Sequence, residues 1–221
     1  MIQLSNIAKS YHSRWEDIDL FHDLCWQVEK WSWVALMGAS GAGKSTLLSL
    51  IAGILSPDAW KIHLGNVDIT QFSRDDMTEF RGKHIAFIFQ AFELIPNLTV
   101  SENIDLVLDI SKAPRRYDTD EILEKVGLAG KGNRYPNELS GWEQQRVAIA
   151  RAFVSKVPYL FADEPTGNLD EKNAEKIMEL IRDLHEETKN TIVMITHDKG
   201  IAEHADSIYR LSNGALHLEK K

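Results

Sequence analysis

The residues Gly38-Ala39-Ser40-Gly41-Ala42-Gly43-Lys44-Ser45-Thr46 fit the spacing G-x-x-x-x-G-K-[S/T]. Glycines at these places let backbone N–H groups curl around a phosphate at the start of a helix. The lysine can reach β- and γ-phosphates, and the hydroxyl after it can ligate Mg2+. The apolar segment Trp33–Met37 precedes the loop, and Leu47, Leu48, Leu50, Ile51 and Ile54 follow at the spacing of a helix buried on one face. A plain glycine-rich turn does not explain why Lys44-Ser45-Thr46 follows the last glycine. A second segment, Val157-Pro-Tyr-Leu-Phe-Ala-Asp-Glu164, is an apolar run that ends in two acids. At the carboxyl edge of a sheet, Asp163 can hold Mg2+ through water, and Glu164 can polarise an attacking water as general base. Paired acids after a strand are by themselves an ordinary solvated turn; beside the phosphate loop they complete a nucleotide site.

The elements that must position these residues can be read from period and punctuation. Met1–Ala8, Phe21–Val28 and Trp33–Met37 read as strands, as do His84–Phe89, Val157–Ala162 and Thr191–Thr196, apolar runs of the kind buried on both faces of a sheet. Helical patterns cover Gly141–Ser155 and Asp170–Lys189, and Asn213-Gly214 reads as a hairpin turn between Ser207–Leu211 and Ala215–Leu218. Alternating strand and helix implies an α/β fold around a mostly parallel sheet. The stretch from about Ala91 to Lys156 reads as a helical subdomain inserted into a core formed by 1–90 and 157–221.

The chain has 221 residues, 43% hydrophobic and 26% charged, which suits one such domain rather than disorder or a fibre. A formal charge of −8 suits a phosphate backbone poorly, so no nucleic-acid partner is expected. Cys25, the one cysteine, forbids an internal disulfide, and Met1–Ser10 does not read as a secretory leader, so a reduced, cytosolic chain is expected. The longest apolar run, Leu47–Leu55, is broken by Ser49 and Gly53 and is too short to span a bilayer, which needs about 20 residues. The histidines His12, His22, His63, His84, His185, His204 and His217 show no metal-ligand spacing with Cys25 and read as surface or structural groups.

Leu139-Ser-Gly-Trp-Glu-Gln-Gln-Arg146 resembles the Leu-Ser-Gly-Gly-Gln/Glu signature of ATP-binding-cassette (ABC) ATPases, and the resemblance covers essentially the whole chain. Gln90 resembles that family's Q-loop glutamine, Asn168-Leu-Asp170 its D-loop, His197 its switch histidine, and Tyr11 the aromatic that stacks on adenine. His84-Ile-Ala-Phe-Ile-Phe-Gln90, Leu94-Ile-Pro-x-Leu-Thr-Val100, Tyr135-Pro-x-Glu-Leu-Ser140 and Leu160–Asp170 are similar to the macrolide-export and lipoprotein-releasing branch. The resemblance implies a P-loop ABC ATPase fold with an N-terminal antiparallel β part, and ATP and Mg2+ as cofactors. It places Lys44, Gln90, Glu164 and His197 in catalysis, Ser45, Gln90 and Asp163 at the metal, and Tyr11, Gly38–Thr46, Ser140, Gly141 and Asp170 at the nucleotide.

Such a cassette is half an active site. Ser140 with Glu143 three residues on reads as a capping box, so the helix it opens offers N–H groups and a positive dipole end to an anion. In the family that anion is the γ-phosphate held by a second copy, so two copies sandwich two nucleotides and drive an integral membrane permease subunit from the cytoplasmic face. Ala91–Leu98 is expected to help form the docking groove. The alternatives are a soluble ABC-type ATPase not tied to transport, and a module that binds ATP with impaired turnover. The second arises because Trp142 stands where the signature has its second glycine. Trp31 and Trp60 also occupy expected-glycine turns, and Trp15 is a further candidate for the set. UGA codons, glycine in some genetic codes and tryptophan in others, would account for the set in one step; real divergence and a silenced site are the other readings.

Overall fold

The computed structural model describes residues 1–12 and 17–221; Trp15 lies outside the described residues. In chain order the elements are β1 (Ile2–His12), β2 (Asp17–Val28), β3 (Trp33–Met37), α1 (Lys44–Ile51), β4 (Ala59–Leu64), β5 (Val67–Asp68) and α2 (Arg74–His84). There follow β6 (Ile85–Phe89), α3 (Val100–Ser111), α4 (Thr119–Lys125), a 3-10 turn at Pro136–Glu138, α5 (Gly141–Phe153) and β7 (Tyr159–Asp163). The chain ends with α6 (Glu171–Thr188), β8 (Thr191–Ile195), α7 (Lys199–Ala202), β9 (Ser207–Ser212) and β10 (Ala215–Lys220). Two compact units result, one from Met1–Thr78 with Thr191–Lys221, the other from Glu79–Asn190.

The first unit holds an antiparallel sheet in the order β2-β1-β4-β5. It also holds β3, which lies between β8 and β9 and runs parallel to both. Every residue of β3 and β8 is buried, as expected of strands covered on both faces. The β9–β10 hairpin turns at Asn213 and Gly214, both at positive φ (49° and 72°), which is the conformation that Asn-Gly supplies at small cost. β1 and β2 outrun the sequence expectation in their outer halves, where Ser10 opposes Asp19 and Tyr11 opposes Ile18 and where Tyr11, Asp17, Ile18 and Asp19 are exposed. Trp60, expected in a turn, falls in strand β4.

In the second unit β6 and β7 are parallel and in register from Ile85↔Tyr159 to Phe89↔Asp163. Between Ala91 and Lys156 lie α3, α4, α5 and the 3-10 turn, with an isolated bridge between Arg115 and Ser155. α3 starts at Thr99, whose backbone N–H and hydroxyl both donate to Glu102 (2.7 and 2.8 Å). Buried Asn103 fastens the preceding loop, accepting from Ile95 N–H and donating to the carbonyls of Ile95, Leu98 and Thr99. α6 buries Ala174, Ile177, Met178, Ile181 and Leu184, a stripe at three- and four-residue spacing. α2 carries only Met77 and Phe80 as buried apolar residues among charges, too weak a period to be read from sequence.

Candidate nucleotide site

In the first unit, β3 delivers the chain into Gly38–Thr46 and α1 leaves from Lys44, with Leu47 N–H donating to Gly43 O at 2.8 Å. Two glycines are dictated by close approach: a Cβ on Gly38 would lie 2.6 Å from Leu211 O, and one on Gly43, at φ 96°, would lie 2.9 Å from the Leu20 side chain. The Lys44 ammonium folds back onto the loop, donating to Gly38 O at 3.0 Å and Ala39 O at 2.9 Å. Ala39, Ser40, Gly41 and Ser45 are exposed, while Ala42 and Thr46 are half-buried. β8 ends beside β3, with Leu36 opposite Ile195 and Thr196 N–H donating to Leu36 O at 3.3 Å. Parallel pairing therefore brings exposed His197 to the strand edge from which the loop departs. Tyr11 is exposed at the far end of the β1–β2 ladder whose Leu20 packs on Gly43, with the Lys9 ammonium 5.5 Å from its ring.

In the second unit the register Phe89↔Asp163 places Gln90 beside Asp163 and Glu164 at the carboxyl ends of two parallel strands. Asn168 donates to Gln90 O at 2.7 Å, and the Gln90 side chain lies directly against Gly167, where a Cβ would come 2.9 Å from Gln90 Nε2. Asp163 and Glu164 are half-buried, and Glu164 sits at φ 46°. Asp170 caps α6, accepting from Asn173 N–H (2.9 Å) and its side-chain amide (2.7 Å), which together hold the Asp170 carboxyl below its usual range.

α5 opens with the expected capping box. The Glu143 carboxylate accepts from Ser140 N–H at 2.9 Å, from the Ser140 hydroxyl and from the Lys131 ammonium. These three donors, Lys131 foremost, pull Glu143 from 4.5 down to about 2. Ser140 and Gly141 are exposed. The Trp142 ring lies over the Arg146 guanidinium, 4.6 Å from its centroid, and Arg146 donates to Val126 O at 2.6 Å. Trp31 adopts φ 68°, the left-handed region that favours glycine.

The sequence profile of the ABC transporter family matches residues 21–167. The chain belongs to that family. It is 39% identical over 98% of its length to the ABC transporter ATP-binding protein YtrE of Bacillus subtilis, covering 96% of that protein. It is 38% identical, again over 98% of its length, to the macrolide export ATP-binding/permease protein MacB of Rhodopirellula baltica, of which it spans 32%. Among solved structures, the ATP-binding cassette MJ0796 of Methanocaldococcus jannaschii, a dimer bound to ADP and Pi, superposes with a TM-score of 0.88 at 36% identity, over 100% of this chain and 98% of that one. The chain is thus an ABC ATPase, an ATP-binding cassette of the transporter class, with the mixed α/β fold of that family.

Four residues of this cassette make contacts that were not legible in the motifs. Gln145, fully buried, donates to Pro165 O at 2.5 Å. Arg151 donates to the carbonyls of Glu93 (2.5 Å) and Phe92 (2.8 Å), two successive residues at positive φ, and burial lowers its pKa. Asn168 and Gly167 fix Gln90. A polar residue on an otherwise apolar helical stripe, as Gln145 is between Leu139 and Val147–Ala152, is the one signal that could have drawn attention to them.

Proposed function

We propose that this cassette works as a pair of copies closing around two MgATP, each nucleotide held by the Lys44 loop of one copy and the α5 start of the other, to drive a membrane permease subunit. The observation that carries this is the exposed start of α5. Ser140 and Gly141 are exposed at the start of a helix whose positive dipole end can meet an anion presented from outside the chain; the capping box takes up the N–H groups of Ser140 and Glu143, and those of Gly141 and Trp142 lie between them. The dimeric MJ0796 structure with ADP and Pi supports the same reading.

In this scheme the N–H groups of Gly38–Thr46 bind the phosphates, and Lys44 exchanges the carbonyls of Gly38 and Ala39 for β- and γ-phosphate oxygens, a stronger charge-assisted pairing. Tyr11 stacks on the adenine. Ser45, Gln90 and Asp163 would hold Mg2+, since a hydroxyl, an amide and a carboxylate are the hard oxygen donors this ion takes, and the ion would supply charge neutralisation at the phosphates. Glu164 takes the proton of the attacking water, His197 orients the γ-phosphate, and Asp170 faces the second copy. Residues 91–156 act as a helical subdomain on the core 1–90 and 157–221, and Ala91–Leu98 meets the permease at the cytoplasmic face of the membrane. No helix among the described residues is long and apolar enough to cross a bilayer.

The test is Glu164→Gln with MgATP, followed by turnover and size measurement. The variant should bind nucleotide, stop turning over and accumulate as an ATP-dependent dimer. Near-normal hydrolysis, in a preparation free of other ATPases, would remove Glu164 from the base role.

A further inference from the structure

We propose that Gln145 is a positioning residue for hydrolysis, holding the turn that carries Glu164 through its amide N–H on Pro165 O. The inference rests on the reading of Glu164 as general base. It starts from a local conflict: Glu164 precedes a proline, whose ring biases the residue before it toward extended conformations, yet Glu164 sits at φ 46°. A glutamate there stays left-handed only if its surroundings over-determine it. Two bonds of the turn are in place, Gly167 N–H to Glu164 O at 3.0 Å and Gln145 Nε2–H to Pro165 O at 2.5 Å. The first lies within the turn itself. The second comes from a rigid helix 20 residues away in sequence and fixes the peptide plane that follows Glu164 and Pro165.

The chemistry of Gln145 fits a positioning role better than a stabilising one. It is fully buried, yet its Oε1 has no partner among the described residues. A buried acceptor left unpaired works against stability, and a leucine at this place would remove it. What the amide supplies is the donor to Pro165. Because Pro165 O is one residue past Glu164, releasing it frees ψ of Pro165 and lets the preceding left-handed residue relax toward the extended basin. The Cα–Cβ direction of Glu164 then turns, and the carboxylate leaves the position from which it takes a proton.

The test uses the full chain with MgATP, single-turnover hydrolysis for rate and a fluorescent ATP analogue for affinity. Gln145→Leu should bind the analogue within about twofold of the parent, keep its thermal midpoint and lose ~10- to 100-fold in rate, the size of effect a displacement near 1 Å produces. Gln145→Met, of similar length and without a donor, should give the same split and carries the test if the leucine variant does not fold. Combining Gln145→Leu with Glu164→Gln should add no further loss, because the lost step is the same one. A rate within about twofold of the parent for both single variants overturns the proposal, as does an equal fractional loss in the presence and absence of the Glu164 carboxylate. Near-normal hydrolysis by Glu164→Gln alone overturns instead the base assignment beneath it, and no result with Gln145 can imitate that.

Discussion

Glu143→Gln gives a perturbation whose size and pH dependence both follow from the structure. The Glu143 carboxylate is held at about 2, against 4.5 for a free glutamate, by Lys131, the Ser140 hydroxyl and the Ser140 N–H. A shift from 4.5 to about 2 corresponds to an upper limit of ~3.5 kcal/mol at ~1.4 kcal/mol per pKa unit. The Glu143 side chain is 13% exposed but that of Lys131 is 43% exposed, so screening reduces the effect to roughly 1–2 kcal/mol. The folded-state pKa lies below the unfolded one, so the contribution is complete above about pH 5 and is lost as pH falls from 4.5 toward 2. Glutamine keeps an acceptor for Ser140 but not the charge. At pH 7 it should lower stability by ~1–2 kcal/mol, or the thermal midpoint by ~2–8 °C for a chain of this size. Urea unfolding of both proteins at pH 7, 4 and 3 should show that gap closing with acid. A gap that stays constant from pH 7 to 3, or none at pH 7, would refute the assignment of the shift to this cluster.

Trp31→Gly should be more stable than Trp31→Ala by ~1 kcal/mol, because both lose the contact with Lys30 while only alanine keeps a Cβ at φ 68°. Thermal unfolding that ranks alanine above glycine would mean the turn does not hold that φ. Trp142→Gly should lower stability by ~1–2 kcal/mol, through a glycine in the first helical turn and the lost contact with Arg146, while raising ATP-dependent dimerisation and turnover if the indole limits closure. Unchanged turnover would show that the ring stays on Arg146, clear of the second copy.

The parts of this cassette that were legible in the sequence are those whose chemistry is local. A glycine loop between an apolar strand and a one-sided helix states its own geometry, and so does a Ser-x-x-Glu box. The apolar run that ends at Asp163 was equally plain, since a strand buried on both faces needs no alternation. What could not be read depends on distant partners. The outer half of β1 pairs through Ser10 and Tyr11, and β4, whose buried Ile62 and Leu64 alternate with Lys61 and His63, is a six-residue strand that finds its place only between β1 and β5. Gln90 was found by resemblance, but its support from Gly167 and Asn168 is visible only once β6 and β7 are in register. Arg151 looks like one more charge on a helix until its two carbonyl partners, 58 and 59 residues away, are seen.

These long-range bonds share an element, and that has a mechanical consequence within the second unit. α5 carries the Ser140 cap at its start, Gln145 on the turn after Asp163 and Glu164, Arg146 on Val126, and Arg151 on the segment after Gln90. A helix is stiff over its 13 residues, so a displacement at its start is not absorbed along its length. The bonds at Gln145 and Arg151 each end on a backbone carbonyl, which moves a whole peptide plane and not one rotamer. If the start of α5 is drawn toward a γ-phosphate on a second copy, the turn bearing Glu164 and the segment Phe92–Glu93 are pulled by the same rigid body. Under the proposed function, closure at the nucleotide and movement of the segment Phe92–Glu93 are then one motion, linked through the two bonds that Arg151 makes to Phe92 and Glu93.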